Sequence, residues 1–287
     1  MKNRDARRFS FSVAEMVGVG SCSLSFLLAF VDVKLAVIPL ASFLLLCIVA
    51  PFLPRVGFFL PVISRGKSRK RAVAITFDDG PDPLSTPQLL RLLQRYEVKA
   101  TFFVTGKRAS EYPEVIREIL ALGHAVGNHT YSHDSLIMLR SGKTLRDEIA
   151  STQKVLSGLG IRTYAFRSPA GITGPRLQPV LEEYGLSNIN FSCRAVDGGN
   201  KRIHGLSRKI LDRLRPDDIV ALHDTRPKDE GLLVQWLKEI ELILLGAKEK
   251  GFAILPLSEL IEKTIMTTET GGREKGDQVA LGGRRPV

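Results

Sequence analysis

The sequence predicts an α/β protein in which an N-terminal transmembrane helical hairpin precedes a closed or nearly closed β/α barrel of about seven strands. Three observations predict it. Two almost uncharged stretches of bilayer length lie within the first 53 residues, short apolar runs alternate with amphipathic segments after residue 71, and polar clusters follow directly on several of those runs.

Of the 287 residues, 44% are hydrophobic and 25% charged, a balance that excludes a disordered or collagen-like chain. The formal net charge of +11 sits mainly at the front: residues 1–71 carry 11 basic and 3 acidic side chains, whereas residues 72–264 carry 26 and 24. A nearly neutral main domain has no field with which to hold a polyanion, so no nucleic-acid partner is expected. Cys22, Cys47 and Cys193 are odd in number and widely spaced, which implies neither a disulfide framework nor a thiolate zinc site.

Residues 1–63 read as a membrane anchor with hydrophobic segments at about 9–31 and 35–53. Only Glu15 is charged in the first and nothing in the second, and Asp32-Val33-Lys34 alone joins them. The rival, a cleaved signal peptide, has a much shorter apolar region followed by a small-residue cleavage site. Lys2, Arg4, Arg7 and Arg8 precede the first segment, and Arg55, Arg65, Lys67, Arg69, Lys70 and Arg71 follow the second. By the positive-inside rule both ends face the cytoplasm, which predicts an inner-membrane protein with its soluble domain on the cytoplasmic face. If Pro39, Pro51 and Pro54 keep the second segment from crossing, that domain lies outside. The apolar stretch 56–63 and the basic linker 64–71 read either as an interfacial strip against anionic headgroups or as a solvated linker.

The soluble domain spans 72–264. Strands are expected at 72–77 and 100–105 and near 124–127, 163–166, 187–193, 218–222 and 252–255. Helices are expected at 84–96, 111–122, 145–159, 175–184, 206–214, 231–250 and 257–263. From 265 to 287 threonine, glycine and charge dominate without periodicity, which predicts a disordered tail.

Immediately after the first strand, Thr76-Phe77-Asp78-Asp79-Gly80-Pro81 sets two adjacent carboxylates at a turn, where both can reach one cavity or simply form an acidic surface turn. His129 and His133, four residues apart, share a face if the segment is helical or turn-like. With one carboxylate they make a three-ligand site for zinc or a similar metal. Arg167, in Arg167-Ser168-Pro169-Ala170-Gly171, places a permanent cation at a strand end; if buried it must pair with a carboxylate, and Asp78 is a candidate. His223, after four apolar residues and before Asp224, is placed for burial and a neighbouring acid to tune it.

In this order TFDDGP, HTYSH, RSPAG and VALHD resemble the motifs of the polysaccharide deacetylase family, the NodB homology domain of carbohydrate esterase family 4, over about residues 71–260. The resemblance implies a deformed β/α barrel and removal of N-linked acetyl groups from amino sugars. It implies Asp78 as catalytic base, Asp79, His129 and His133 as ligands of a divalent metal ion such as zinc, His223 as general acid, and Arg167 as the residue that orients Asp78. A backbone N–H near Tyr131 or Ala170 would hold the oxyanion, with Pro169, Ala170 and Gly171 beside the substrate. Two departures stand out. Ala170 replaces a usual aromatic residue, and Asp197, the candidate partner of His223, is not followed by the usual Trp. Both losses remove surfaces on which sugar rings stack. Leu222 and Ile219 either line a pocket for the acyl methyl or belong to the core. Asp134 is a candidate support for a ligand histidine, and His124 and His204 read as structural.

The expected activity is metal-dependent hydrolysis of an N-acetyl or N-formyl group on an amino sugar. The substrate is a lipid-linked saccharide if the domain is cytoplasmic, and peptidoglycan or an exported polysaccharide if it is not. The competing class is a non-catalytic, membrane-tethered glycan-binding or scaffold protein on the same fold. Against it, every proton-transfer and ligand position carries a competent residue.

Overall fold

A computed structural model describes residues 11–195, 197–227 and 229–268, with the side chain of Glu230 left out. The chain begins with α1 (Val13–Ala29), whose N-terminus is closed by a reciprocal pair in which Glu15 N–H donates to Ser12 Oγ at 3.2 Å and Ser12 N–H to Glu15 Oε2 at 2.7 Å. The single charge of the first apolar segment is thereby used at its cap. Asp32 caps α2 (Val33–Val49) by accepting from Lys34 N–H at 2.8 Å. The two helices pack against each other antiparallel, with Ala14 near Ala50 and Gly18 against the Phe43 ring. The helical stretch Val33–Phe52, 20 residues with a mean hydropathy of 2.5, is long and apolar enough to cross a membrane; α1 is a shorter apolar helix. Lys2, Arg4, Arg7 and Arg8 lie outside the described residues.

The rest of the chain folds as a curled parallel sheet with helices on its outer face. In chain order its elements are β1 (Ala72–Asp78), α3 (Thr86–Arg95), β2 (Thr101–Val104), α4 (Gly106–Glu111), α5 (Pro113–Ala121), β3 (Ala125–Asn128), α6 (Gly142–Gly158), β4 (Ile161–Thr163), β5 (Ala165–Phe166), α7 (Leu177–Tyr184), β6 (Ser187–Asn188), β7 (Cys193–Arg194), α8 (Leu206–Leu211), β8 (Asp218–His223), α9 (Glu230–Glu249), β9 (Ala253–Ile254), α10 (Leu257–Leu260) and β10 (Met266–Thr268). The sheet runs β6-β5-β3-β2-β1-β8-β7, with β9 also paired to β1. Its eight strands match the expected barrel closely in number, and the expected long strand at 187–193 is divided into β6 and β7.

Strand parity sorts the core. Ile75, Phe77, Val220 and Leu222 point outward into a cluster with α3, α5 and the fully buried Trp236 of α9. Ala72, Ala74, Ile219 and Ala221 belong to a second cluster with Ile189, Phe191 and Leu257. The strands' polar residues at their C-terminal ends therefore emerge together at one mouth.

Two boundaries are corrected. The segment expected as an interfacial strip or solvated linker is part of the fold: Phe58 and Leu60 are buried, Ile63 bridges to Ile189 beyond β6, and Gly66 N–H donates to Asp217 O at 2.7 Å. An apolar stretch beside an unpaired strand end satisfies its backbone there rather than in water. Likewise the expected tail is ordered at its start, because Met266–Thr268 pairs antiparallel with Ile161–Thr163. Residues 269–287 of that expected tail lie outside the described residues.

Candidate active site

The site is built from the ends of β1, β3, β5 and β8. Asp78, the last residue of β1, is buried, and its Oδ1 accepts from Arg167 Nη1 at 2.7 Å. Arg167 follows β5 and is fully buried. It also donates to Thr76 Oγ1 (2.7 Å), Ile189 O (2.9 Å) and Asn190 O (3.0 Å), and its guanidinium lies 4.0 Å from the Phe103 ring centre. A buried guanidinium anchored by four hydrogen bonds holds one carboxylate oxygen in place and leaves the other for chemistry.

Asp79 follows on with φ of 76°, a left-handed conformation that side chains other than glycine adopt rarely. In a continuing strand its carboxylate would point away from that of Asp78; this backbone turns both into one cavity. Thr130 (φ 65°) and His133 (φ 59°) do the same for the histidine pair, which sits on a turn and not on a helix. Gly80 supports the turn because a Cβ there would collide with the carboxylate of Asp224.

Asp79 Oδ1 lies 3.3 Å from His129 Nε2 and 3.0 Å from His133 Nε2, and the three candidate ligand atoms fall within 4.8 Å of one another. His129 Nδ1 is 2.7 Å from the Arg167 carbonyl oxygen. A carbonyl only accepts, so the ring proton belongs on Nδ1 and Nε2 turns a lone pair toward the carboxylate. Asp79 Oδ1 is itself buried without a hydrogen bond among the described residues. One carboxylate oxygen and two imidazole nitrogens converging on one point are what a divalent cation requires, so these residues fit the metal expected from the sequence. Burial pushes the Asp79 carboxyl up, but His129 and His133 outweigh it and hold the group well below the usual carboxylate range. Burial conversely pushes His133 down, and Asp79 more than reverses it.

Across the same cavity, of about 550 Å³, stands His223. Its Nδ1 is 2.8 and 2.9 Å from the two carboxylate oxygens of Asp197, so the partner expected from the sequence is the one found. Burial lowers the imidazole pKa, but the hydrogen bond and charge of Asp197, reinforced by Asp79 and Asp78, raise it to about 9.

The remaining expected residues divide. Ala170, with φ of 56°, lines the cavity, and its backbone N–H has no acceptor among the described residues. Pro169 and Gly171 are buried beneath that turn, Gly171 against Phe191 and Pro54. Tyr131 borders an adjoining groove with Asp79 and His133, and its N–H is already donated to Glu148 Oε2 at 2.9 Å, which corrects its expected place as an oxyanion donor. Leu222 is likewise corrected: parity turns it into the outer core, and its neighbour Ala221 faces the cavity instead. Ile219 is also core. Asp134 binds Arg140 at 2.8 Å and caps its own turn, so it supports no histidine. His124, lowered to about 4 by burial, accepts from Ala100 N–H at 3.1 Å, and His204 pairs with Gln235; both are structural.

Two contributors escaped the sequence. Glu148 of α6 holds the histidine turn through Tyr131 N–H, Ser132 N–H and Ser132 Oγ at 2.8–2.9 Å. Asn200 donates to His223 O and Thr225 O at 2.9 and 2.8 Å. Asp224, buried and pushed up to about 7, accepts from Thr86 Oγ1 at 2.7 Å below Gly80. Glu148 and Asn200 stand in no recognisable local pattern, since their partners are distant in the chain, whereas Asp224 closes the VALHD motif.

Comparison with known proteins finds similar chains of one family. The family model described as Polysaccharide deacetylase matches residues 65–189. A chitooligosaccharide deacetylase of Azorhizobium caulinodans is 34% identical over 203 residues, covering 68% of this chain and 96% of that protein. A peptidoglycan-N-acetylglucosamine deacetylase of Bacillus cereus is 30% identical over 199 residues, covering 68% and 90%. Among solved structures, the Bc1960 peptidoglycan N-acetylglucosamine deacetylase superposes with a TM-score of 0.64 at 29% identity, covering 71% of this chain and 94% of that one.

Proposed function

The chain belongs to the polysaccharide deacetylase family, and from that membership we propose that it is a membrane-anchored, metal-dependent hydrolase removing an N-acetyl, or N-formyl, group from an amino sugar. The observation that carries this reading is one cavity shared by three groups: the Asp79, His129 and His133 trio, the Asp78–Arg167 pair and the His223–Asp197 pair. Relatives named for chitooligosaccharide and peptidoglycan N-acetylglucosamine support N-acetylglucosamine as the sugar.

Asp79, His129 and His133 would hold the metal, zinc by its donor set, and the metal when bound acidifies water and polarises the scissile carbonyl. Asp78, with one oxygen held by Arg167, takes the proton from the attacking water. The Ala170 N–H donates to the carbonyl oxygen as negative charge grows on it. His223, kept protonated by Asp197, gives its proton to the departing amine, without which that amine is a poor leaving group. Ala221 is small enough to leave room for the acyl methyl.

Membrane location is supported by the apolar stretch Val33–Phe52, and the cytoplasmic face by the basic residues that flank both apolar segments. On that face a lipid-linked saccharide is the accessible glycan. The test is acetate or formate release by the purified full-length protein on N-acyl sugar oligomers and lipid-linked N-acyl sugars, wild type beside Asp78→Asn. Metal-dependent release abolished by the substitution is expected; silence on every substrate from folded, metal-loaded protein would overturn the reading.

A further inference from the structure

A second cavity, of about 400 Å³, borders the catalytic one, and Phe191 and Arg194 line both. Its charge is one-sided. Five arginines line it, Arg55, Arg65, Arg194, Arg213 and Arg215, against Asp212 and Asp218. Asp218 is already committed: it is buried, pairs with Arg65 at 2.7 Å, and accepts from Ser192 Oγ at 2.6 Å and from Arg215 N–H at 2.7 Å. Asp212 lies beside Arg208. Among the described residues, Arg55, Arg194, Arg213 and Arg215 form no salt bridge. Arg55 is fixed by donating to Ser192 O, and Arg194 lies 4.9 Å from the Phe191 ring centre, at the border of the two cavities. Guanidinium groups gathered around one space repel each other unless an anion joins them, and their planar forks match phosphate oxygens two at a time.

The position of this cavity identifies the anion's carrier. Pro54 and Arg55, which line it, come two and three residues after Phe52, the end of the membrane-length apolar stretch. Pro51 O accepts from Thr173 N–H and Pro54 O from Asn190 Nδ2, so the end of the apolar stretch is hydrogen-bonded to the domain beside the Ala170 turn. Apolar helix, arginine cavity and catalytic cavity thus follow one another in the order of tail, phosphate and sugar.

We propose that the arginine cavity is the binding site for the phosphate or diphosphate joining the N-acylated amino sugar to a prenyl-type lipid. The inference rests on the deacetylase reading and names the substrate class of that same site. The phosphate anchors the lipid end while the sugar reaches past Arg194 to the residues around Asp78.

The test compares wild type with the Arg213→Gln/Arg215→Gln variant, full length in neutral detergent. These two side chains are exposed and take part in no side-chain hydrogen bond or salt bridge among the described residues, so the fold is retained. Substrates are N-acetylglucosamine diphosphate-linked to a short prenyl chain and an N-acetylglucosamine oligomer. The ratio of kcat/KM for the linked sugar to that for the oligomer is expected to fall about 10–100-fold, through KM, because hydrogen bonds to a charged group are lost. An unchanged ratio overturns the proposal. Calorimetric titration with geranyl diphosphate needs no turnover: binding weakened in the variant supports the site even if no sugar is deacetylated, and no binding to wild type overturns it. If the variant loses only its attachment to phosphatidylglycerol vesicles while geranyl diphosphate binding persists, the arginines serve lipid headgroups and the proposal fails.

Discussion

Arg167 Nη1 sits 2.7 Å from both Asp78 Oδ1 and Thr76 Oγ1, so one buried nitrogen ties the last inward residue of β1 to the inward residue two positions before it. Both contacts are buried. Arg167→Met is therefore expected to destabilise the domain by about 3–5 kcal/mol, since it leaves a buried carboxylate without its partner. Urea denaturation measures this. A loss below about 1 kcal/mol would mean that water reaches the pair.

Asp78→Asn keeps the shape of the side chain and removes its basicity. A fall in kcat of about 10²–10⁴-fold is expected, as for other positioned general bases. Metal content by elemental analysis should stay at the wild-type level, because Asp78 is not among the three converging ligands. Equal loss of metal and rate would make Asp78 a ligand instead.

The His223–Asp197 pair predicts an alkaline limit. His223 is raised from 6.5 to about 9, so it carries its proton through neutral pH and loses it as pH rises through about 9. The rate should fall over that interval, and Asp197→Asn should move the alkaline limb toward lower pH. The pair's contribution to stability has the same sign: present in full below about 6.5, lost as pH rises through about 9. A kcat–pH profile and thermal melts at pH 6 and pH 10 test both.

Glu148 forms no hydrogen bond to the proposed metal ligands' side chains among the described residues, yet it holds the turn between them by three hydrogen bonds. Glu148→Ala should weaken metal affinity about 10–100-fold while leaving the outer core intact. Competition with a chelator measures affinity, and far-ultraviolet circular dichroism checks the fold.

Chelation should abolish activity and lower the melting temperature, because a cation that binds only the folded chain stabilises it. Restoring zinc should recover both, and recovery of the melt without the rate would place the cation away from the chemistry.

Much of this site is readable in the sequence because each motif closes within six residues and ends a strand. Asp78, Asp79, His129, His133, Arg167 and His223 all follow that pattern. The Leu222 assignment missed a signal that was present: with His223 inward, parity puts Ala221 inward and Leu222 out. Glu148 and Asn200 had no such signal, since each acts on partners brought close only by the curled sheet. The ordering of 56–71 was hidden for a related reason. Its apolar and basic composition suits a membrane surface, and only the fold reveals the strand ends that claim its backbone.

Asp79, Thr130, His133 and Ala170 all hold left-handed backbone conformations around one mouth. Each is locally unfavourable, and the surrounding sheet maintains it. Selection for heat resistance alone would therefore work against catalysis here: glycine at these four positions relieves the chain while deleting a ligand or reshaping the rim. Variants recovered from such a screen should cluster at this mouth, melt higher and turn over less, which makes thermostability data an independent map of where the chemistry resides.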